Sequence, residues 1–137
     1  MSDFIPYAVS VEDMMRARDE RVHAQNEMLA AAASFPAPTA LLSFGMNIPG
    51  AVKQTPLIRS GFLFGKERLT ALLQREGHPI LRTHELRRVS GDSWLCLIAA
   101  PPETVKRLAV ALEDSEPLAR LFDIDVLDSK GQKLSRE

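Results

Sequence analysis

Apolar residues recur along this chain in two rhythms, and the switches between them outline the elements. Val11, Met15, Val22 and Leu29 fall at steps of four and seven, the spacing of one helical stripe, after Ser10 and Asp13 in a capping-box-like start. They predict a long amphipathic first helix, ending at the alanine cluster Ala30 to Ala33 before the proline-bearing SFPAPT linker. Arg18 and Gln25 share the stripe, where an arginine can lay its stem on the core and keep its head in water. From Ala40 to Asn47 the rhythm becomes alternation. Leu42, Phe44 and Met46 take one face and Ser43, Gly45 and Asn47 the other, as in a half-buried strand.

After the break at NIPGAVK, the segment from Ser60 to Arg75 returns to helical spacing, with Phe62, Leu69, Leu72 and Leu73 on a common side and Gly77 closing it. PILRTHELRRVS is a charged strand suited to a sheet edge, whereas WLCLIAA is continuously apolar and belongs nearer the centre, with a Gly91-Asp92 hairpin between them. Pro101 and Pro102 introduce a helix with Val105, Leu108, Ala109 and Leu112 on one stripe, and a strand over FDIDV comes last. The predicted order is a helix followed by β-α-β-β-α-β. That order gives an α+β fold, the ferredoxin-like split β-α-β antiparallel sheet with both crossover helices on one face and an additional N-terminal helix.

In such a sheet the first and last strands are antiparallel neighbours, so the end of the first lies beside the start of the last. If Phe122, Ile124 and Val126 face the helices, Asp123 and Asp125 share the opposite face with Ser43, Gly45 and Asn47. Gly45 leaves room beside the carboxylates, and the N-terminal helix is a natural cover that brings Arg18 and Arg21 toward them. Two carboxylates with cations around them suit a metal-assisted reaction at phosphorus: oxygen ligands hold Mg²⁺ or Mn²⁺, and the cations balance a polyphosphate. Alternating aspartates on an exposed strand are equally a solvated face that discourages edge aggregation. Spacing alone favours that plainer reading.

Composition narrows the class. At 137 residues and 45% hydrophobic content the chain suits one compact domain with one core: residues 1–34 the N-terminal helix, 35–39 a linker and 40–137 the α+β core. A net charge of −1 with dispersed basic residues argues against nucleic-acid binding. The lone Cys96 excludes an internal disulfide framework and fits a reducing, cytoplasmic setting; it sits in the most apolar strand as a small hydrophobe. No secretory leader or bilayer-spanning stretch is expected. His23, His78 and His84 lie on separate elements without metal-ligand spacing.

LARLFDIDVLDSKGQKLSR, together with LLSFGMNIPGAVK and the RARDER of the first helix, resembles the apo-citrate lyase phosphoribosyl-dephospho-CoA transferase family, the holo-acyl-carrier-protein synthases of citrate lyase. The likeness covers nearly the whole chain. It implies a single transferase domain of nucleotidyltransferase type. Such an enzyme moves the phosphoribosyl-dephospho-CoA group from triphosphoribosyl-dephospho-CoA to a serine of the apo-citrate lyase acyl carrier (gamma) chain, releasing pyrophosphate. The resemblance further implies Asp123 and Asp125 as metal-binding or acceptor-activating carboxylates and Lys53, Arg59 and Arg120 as phosphate-binding cations, with Arg18, Arg21 and Glu113 as additional site residues. Two features of the family pattern are expected to matter: Ala119 stands where many members have glycine, and many members continue beyond LSR into an Arg- and Cys-containing tail. If a glycine there serves close backbone approach to a phosphate, Ala119 is expected to weaken that contact. A non-catalytic ferredoxin-like binding or regulatory module is the competing reading.

Overall fold

A computed structural model describes residues 11–46, 56–86, 93–115 and 122–135. Within them the chain forms α1 (Val11–Ala33), β1 (Ala40–Met46), α2 (Pro56–Arg75), β2 (Ile80–Leu86), β3 (Ser93–Ile98), α3 (Pro102–Ser115) and β4 (Phe122–Leu127). The four strands make one antiparallel sheet in the order β2-β3-β1-β4. Helix α2 begins four residues earlier than its apolar spacing suggests, at Pro56, because a proline is preset for a first helical position, where its missing N–H has no partner to lose. Pro102 opens α3 in the same way. Gly77 ends α2 with φ 74°, a left-handed conformation that favours glycine. The Gly91-Asp92 hairpin and the Ser10 cap lie outside the described residues.

Strand alternation divides the apolar residues between two layers. Leu42 and Phe44 of β1, Trp94, Cys96 and Ile98 of β3, and Ile124 and Val126 of β4 pack under Phe62, Leu69 and Leu73 of α2 and Val105, Ala109 and Leu112 of α3. Leu72 and Leu108 pack against the margin of this cluster. The other face carries Leu41, Leu95, Leu97 and Leu127, covered by α1. Strand β3, central and apolar on both faces, is buried from Trp94 to Ile98, whereas β2 on the edge is largely exposed, as its charged sequence predicts.

The contact face of α1 differs from the expected stripe. Ala24, Met28 and Ala32, at steps of four, meet the sheet, while Val11, Met15 and Val22 are 70%, 59% and 46% exposed. Leu29 alone of the four predicted positions packs against the cluster. The leucines supplied by the sheet fill much of the layer, so the helix adds two alanines and one large side chain, Met28, while Val11, Met15 and Val22 are left on its outer flank.

Candidate functional site

The pairing of β1 with β4 sets the two aspartates. Met46 stands opposite Phe122, Gly45 opposite Asp123, Ser43 opposite Asp125 and Leu41 opposite Leu127. Facing residues of an antiparallel pair point to the same side. Asp123 and Asp125 therefore lie on the α1 face with Ser43 and Gly45, beyond the Leu41–Leu127 pair that α1 buries. Ile124 and Val126, on the other side of β4, are buried beneath the α2 and α3 layer. The expected juxtaposition of the first strand's end with the last strand's start is present, with a side-chain-free glycine facing one carboxylate.

The chain after β4 adds a group to this corner. Asp128 Oδ1 accepts hydrogen bonds from the backbone N–H groups of Lys130 and Gln132, each at 2.9 Å, and the Asp128 N–H donates to the Gln132 carbonyl at 2.9 Å. Gly131 completes the turn at φ 81°, and a Cβ at that position would stand 3.0 Å from Leu29 Cδ1. The chain thus reverses along the free edge of β4. Leu134 N–H donates to the Val126 carbonyl at 2.8 Å, and Lys133 bridges to Leu127. Lys133 Nζ then lies 3.3 Å from Asp125 Oδ1.

Electrostatics reflect the crowding. The Asp123 carboxyl is held above its ordinary value, first by partial loss of hydration against the sheet and next by the charge of Asp125, with Lys133 pulling the other way. Two like charges close together, partly desolvated, form a place where a cation is favoured. Among the described residues no group of three or more His, Cys, Asp or Glu side chains is arranged to hold a metal. The donor set at this corner is two carboxylates.

The remaining sequence-predicted residues are distributed around this corner. Arg18 and Arg21 are exposed on α1. Arg21 precedes Ala24 and Met28 by three and seven residues, on the sheet-facing side, and Arg18 shares the flank of Leu29, which meets Gly131. Among the described residues neither arginine pairs with Asp123 or Asp125. The first half of α1 lies over β2 instead, where Arg16, Asp19, Glu20 and His23 line a groove of about 750 Å³ with His84 and Leu86. His23 and His84, far apart in sequence, share this groove, and His23 Nε2 is 2.9 Å from Glu27 Oε1.

Arg59 stands one turn before Phe62, whose ring stacks on Phe44 at 5.3 Å, and Glu113 is in the last turn of α3. Both belong to the layer across the sheet from the aspartates, toward the same end of β1 and β4. Lys53, Arg120 and Ala119 lie outside the described residues. Sequence reading missed Lys133. Its signal was the DSKGQ turn, which predicts a reversal and hence a residue returning alongside β4.

Cys96 is fully buried, and burial pushes its thiol up to about 12, so it is not poised as a nucleophile. Cys96→Ala is expected to keep full activity and to lose about 1 kcal/mol of stability from the emptied volume. Urea unfolding checks the stability loss; loss of activity in the folded variant would reopen covalent catalysis.

Comparison with known proteins bears on what this corner does. The family model described as apo-citrate lyase phosphoribosyl-dephospho-CoA transferase matches residues 9–137. Proteins of that name from Escherichia coli O139:H28 (strain E24377A / ETEC) and Shigella boydii serotype 18 (strain CDC 3083-94 / BS512) are each 37% identical to this chain over 130 residues, which is 95% of this chain and 68% of the relative. The similarity therefore runs through α1, the sheet and the carboxylate corner alike. By this match the chain belongs to the apo-citrate lyase phosphoribosyl-dephospho-CoA transferase family.

Proposed function

We propose that this chain attaches the phosphoribosyl-dephospho-CoA prosthetic group to apo-citrate lyase, taking it from triphosphoribosyl-dephospho-CoA and placing it on a serine of the acyl carrier (gamma) chain. The observation that carries the reading is the Asp123–Asp125 pair on the sheet face beside Ser43 and Gly45, in a chain of this transferase family. Family membership favours a transferase over a non-catalytic binding module. The strand order β2-β3-β1-β4, with α2 and α3 sharing one core layer and α1 on the other face, supports a ferredoxin-like split β-α-β with an added N-terminal helix. A cytoplasmic setting fits the reaction, and among the described residues no helix is long and apolar enough to cross a membrane.

In this reading the carrier serine Oγ attacks the α-phosphorus of the donor. A new O–P bond forms, the bond from that phosphorus to the β-phosphate bridging oxygen breaks, and pyrophosphate leaves with the electron pair. The serine proton passes to a carboxylate of the pair. Asp123 is suited to this because partial desolvation, and after it the charge of Asp125, raises its proton affinity. Lys53 and Arg120 balance the charge that grows on the leaving group and Arg18 and Arg21 extend the donor-binding surface, while Arg59 and Glu113, from the layer across the sheet, contribute only around the shared end of β1 and β4.

The all-oxygen pair fits Mg²⁺ or Mn²⁺, which commonly takes one or two protein carboxylates and completes its shell from phosphates and water. Bound there, the ion would supply charge neutralisation on the phosphate oxygens.

The test is intact-mass measurement of apo-carrier incubated with the enzyme, the triphosphate donor and Mg²⁺. A gain equal to the phosphoribosyl-dephospho-CoA group on one serine is expected, with stoichiometric pyrophosphate. An unmodified carrier under these conditions would sink the reading.

A further inference from the structure

We propose that Lys133 is a donor-binding residue, an ammonium held beside the carboxylate pair to take a phosphate oxygen of the incoming triphosphate. This rests on the transfer reading above. The first support is the effort with which the backbone returns Lys133 to this corner. Asp128 caps two N–H groups of the turn, Gly131 takes a left-handed φ against Leu29, and the arm is pinned to β4 through Leu134 N–H and the Leu127–Lys133 bridge. Yet the side chains of the resulting ion pair are 64% exposed for Lys133 and 32% for Asp125. Pairs that open add little to stability. A turn so well specified is not explained by the ion pair it delivers.

The chemistry of the group is the second support. An ammonium has three N–H donors, and the ion pair with Asp125 Oδ1, at 3.3 Å, engages at most one of them. With most of the head in water, the others can reach a ligand without breaking the pair. Two carboxylates facing a triphosphate are mutually repulsive, so a phosphate can approach Asp123 and Asp125 only through a cation. Lys133 is covalently part of the chain, already beside Asp125, and on the same face as both carboxylates. Its charge also acts at Asp123, where it opposes the effect of Asp125. The four-carbon stem lets the head move from carboxylate toward phosphate as the donor arrives.

Wild type, Lys133→Ala and Lys133→Arg are titrated with inorganic tripolyphosphate in Mg²⁺ buffer by calorimetry, and the KM values for donor and for carrier are measured in the transfer assay. Lys133→Ala should weaken tripolyphosphate binding and raise the donor KM, each by about tenfold or more, the loss of one charge-assisted contact. The carrier KM and the melting temperature should stay unchanged, and Lys133→Arg should restore most of the loss. Unchanged tripolyphosphate affinity in Lys133→Ala, an effect confined to the carrier KM, or no tripolyphosphate binding by wild type overturns the assignment. Should wild type bind tripolyphosphate through Lys133 yet leave the carrier unmodified, the Lys133 site stands and the transfer reading falls.

Discussion

Asp123→Asn and Asp125→Asn should each reduce transfer by on the order of 10²–10⁴-fold, the range typical of losing a positioned acid–base group, while leaving the fold intact. The two parts of this result have separate causes. Under the proposed mechanism activity falls because asparagine can neither take the serine proton nor hold a cation with full charge. Stability holds because both side chains project from the face beyond the α1 layer, while the buried β4 residues Ile124 and Val126 are untouched.

Asp123 sets the sign of the pH effect on stability. Its folded carboxyl titrates above the ordinary 3.8, so the stability it contributes is fully present below that value and is lost as pH rises through the raised folded value. At neutral pH the ionised group brings no such contribution, and neutral asparagine removes a like-charge contact with Asp125. The melting temperature of Asp123→Asn at pH 7 should therefore equal or slightly exceed that of wild type. Asp125→Asn removes one of the causes that raise Asp123, so carboxyl NMR should show Asp123 titrating lower in that variant. Near-normal turnover in both variants would remove the pair from the site.

Phe44→Ala should cost about 3–5 kcal/mol, a large share of the roughly 5–15 kcal/mol that holds a domain of this size. Phe44 is 1% exposed, stacked on the fully buried Phe62, and sits in β1 between Ser43 and Gly45, which face the aspartates. Emptying its volume should loosen the strand that presents the site, so activity should fall along with stability.

A companion variant tests the packing itself. A Cβ at Gly65 of α2 would stand 2.6 Å from Phe44 Cζ. Gly65→Ala gains about 1 kcal/mol of helix propensity but overpacks a stacked ring, typically costing about 1–3 kcal/mol. It should therefore destabilise the wild-type background. In Phe44→Ala the clash is gone and only the propensity gain remains, so the same change should become neutral or stabilising. Urea unfolding of the two single variants and the double measures this. An equal effect of Gly65→Ala in both backgrounds would mean that the Phe44 ring does not limit the approach of α2.

The alternation of Phe122, Ile124 and Val126 with Asp123 and Asp125 was legible because a strand's period of two assigns faces from the chain alone. The element order placed β1 beside β4, and the register of Gly45 with Asp123 and Ser43 with Asp125 followed that expectation. Val105, Ala109 and Leu112, and likewise Phe62, Leu69 and Leu73, were read correctly for a related reason: each helix rests on one broad apolar sheet face that accepts its whole stripe. The family resemblance carried by LARLFDIDVLDSKGQKLSR was also legible, and the match over residues 9–137 agrees with it.

Helix α1 shows where local pattern stops being sufficient. Its larger apolar residues favour one stripe, but which stripe is buried depends on what the facing layer already supplies, and Leu41, Leu95, Leu97 and Leu127 are met by Ala24, Met28 and Ala32 instead. Periodicity weighs side-chain size within one element; it carries no term for the surface opposite. Lys133 is the same lesson at the site. Its neighbour Asp125 lies eight positions back across a turn, and their meeting at 3.3 Å depends on the left-handed Gly131 and the double cap by Asp128. The sequence by itself determined the elements, the buried faces of β1, β4, α2 and α3, and the pair of carboxylates, because these follow from spacing along one chain. Only the tertiary structure decided which face of α1 is buried and which cation stands beside Asp125, because both depend on distances between surfaces that adjacency in sequence does not encode.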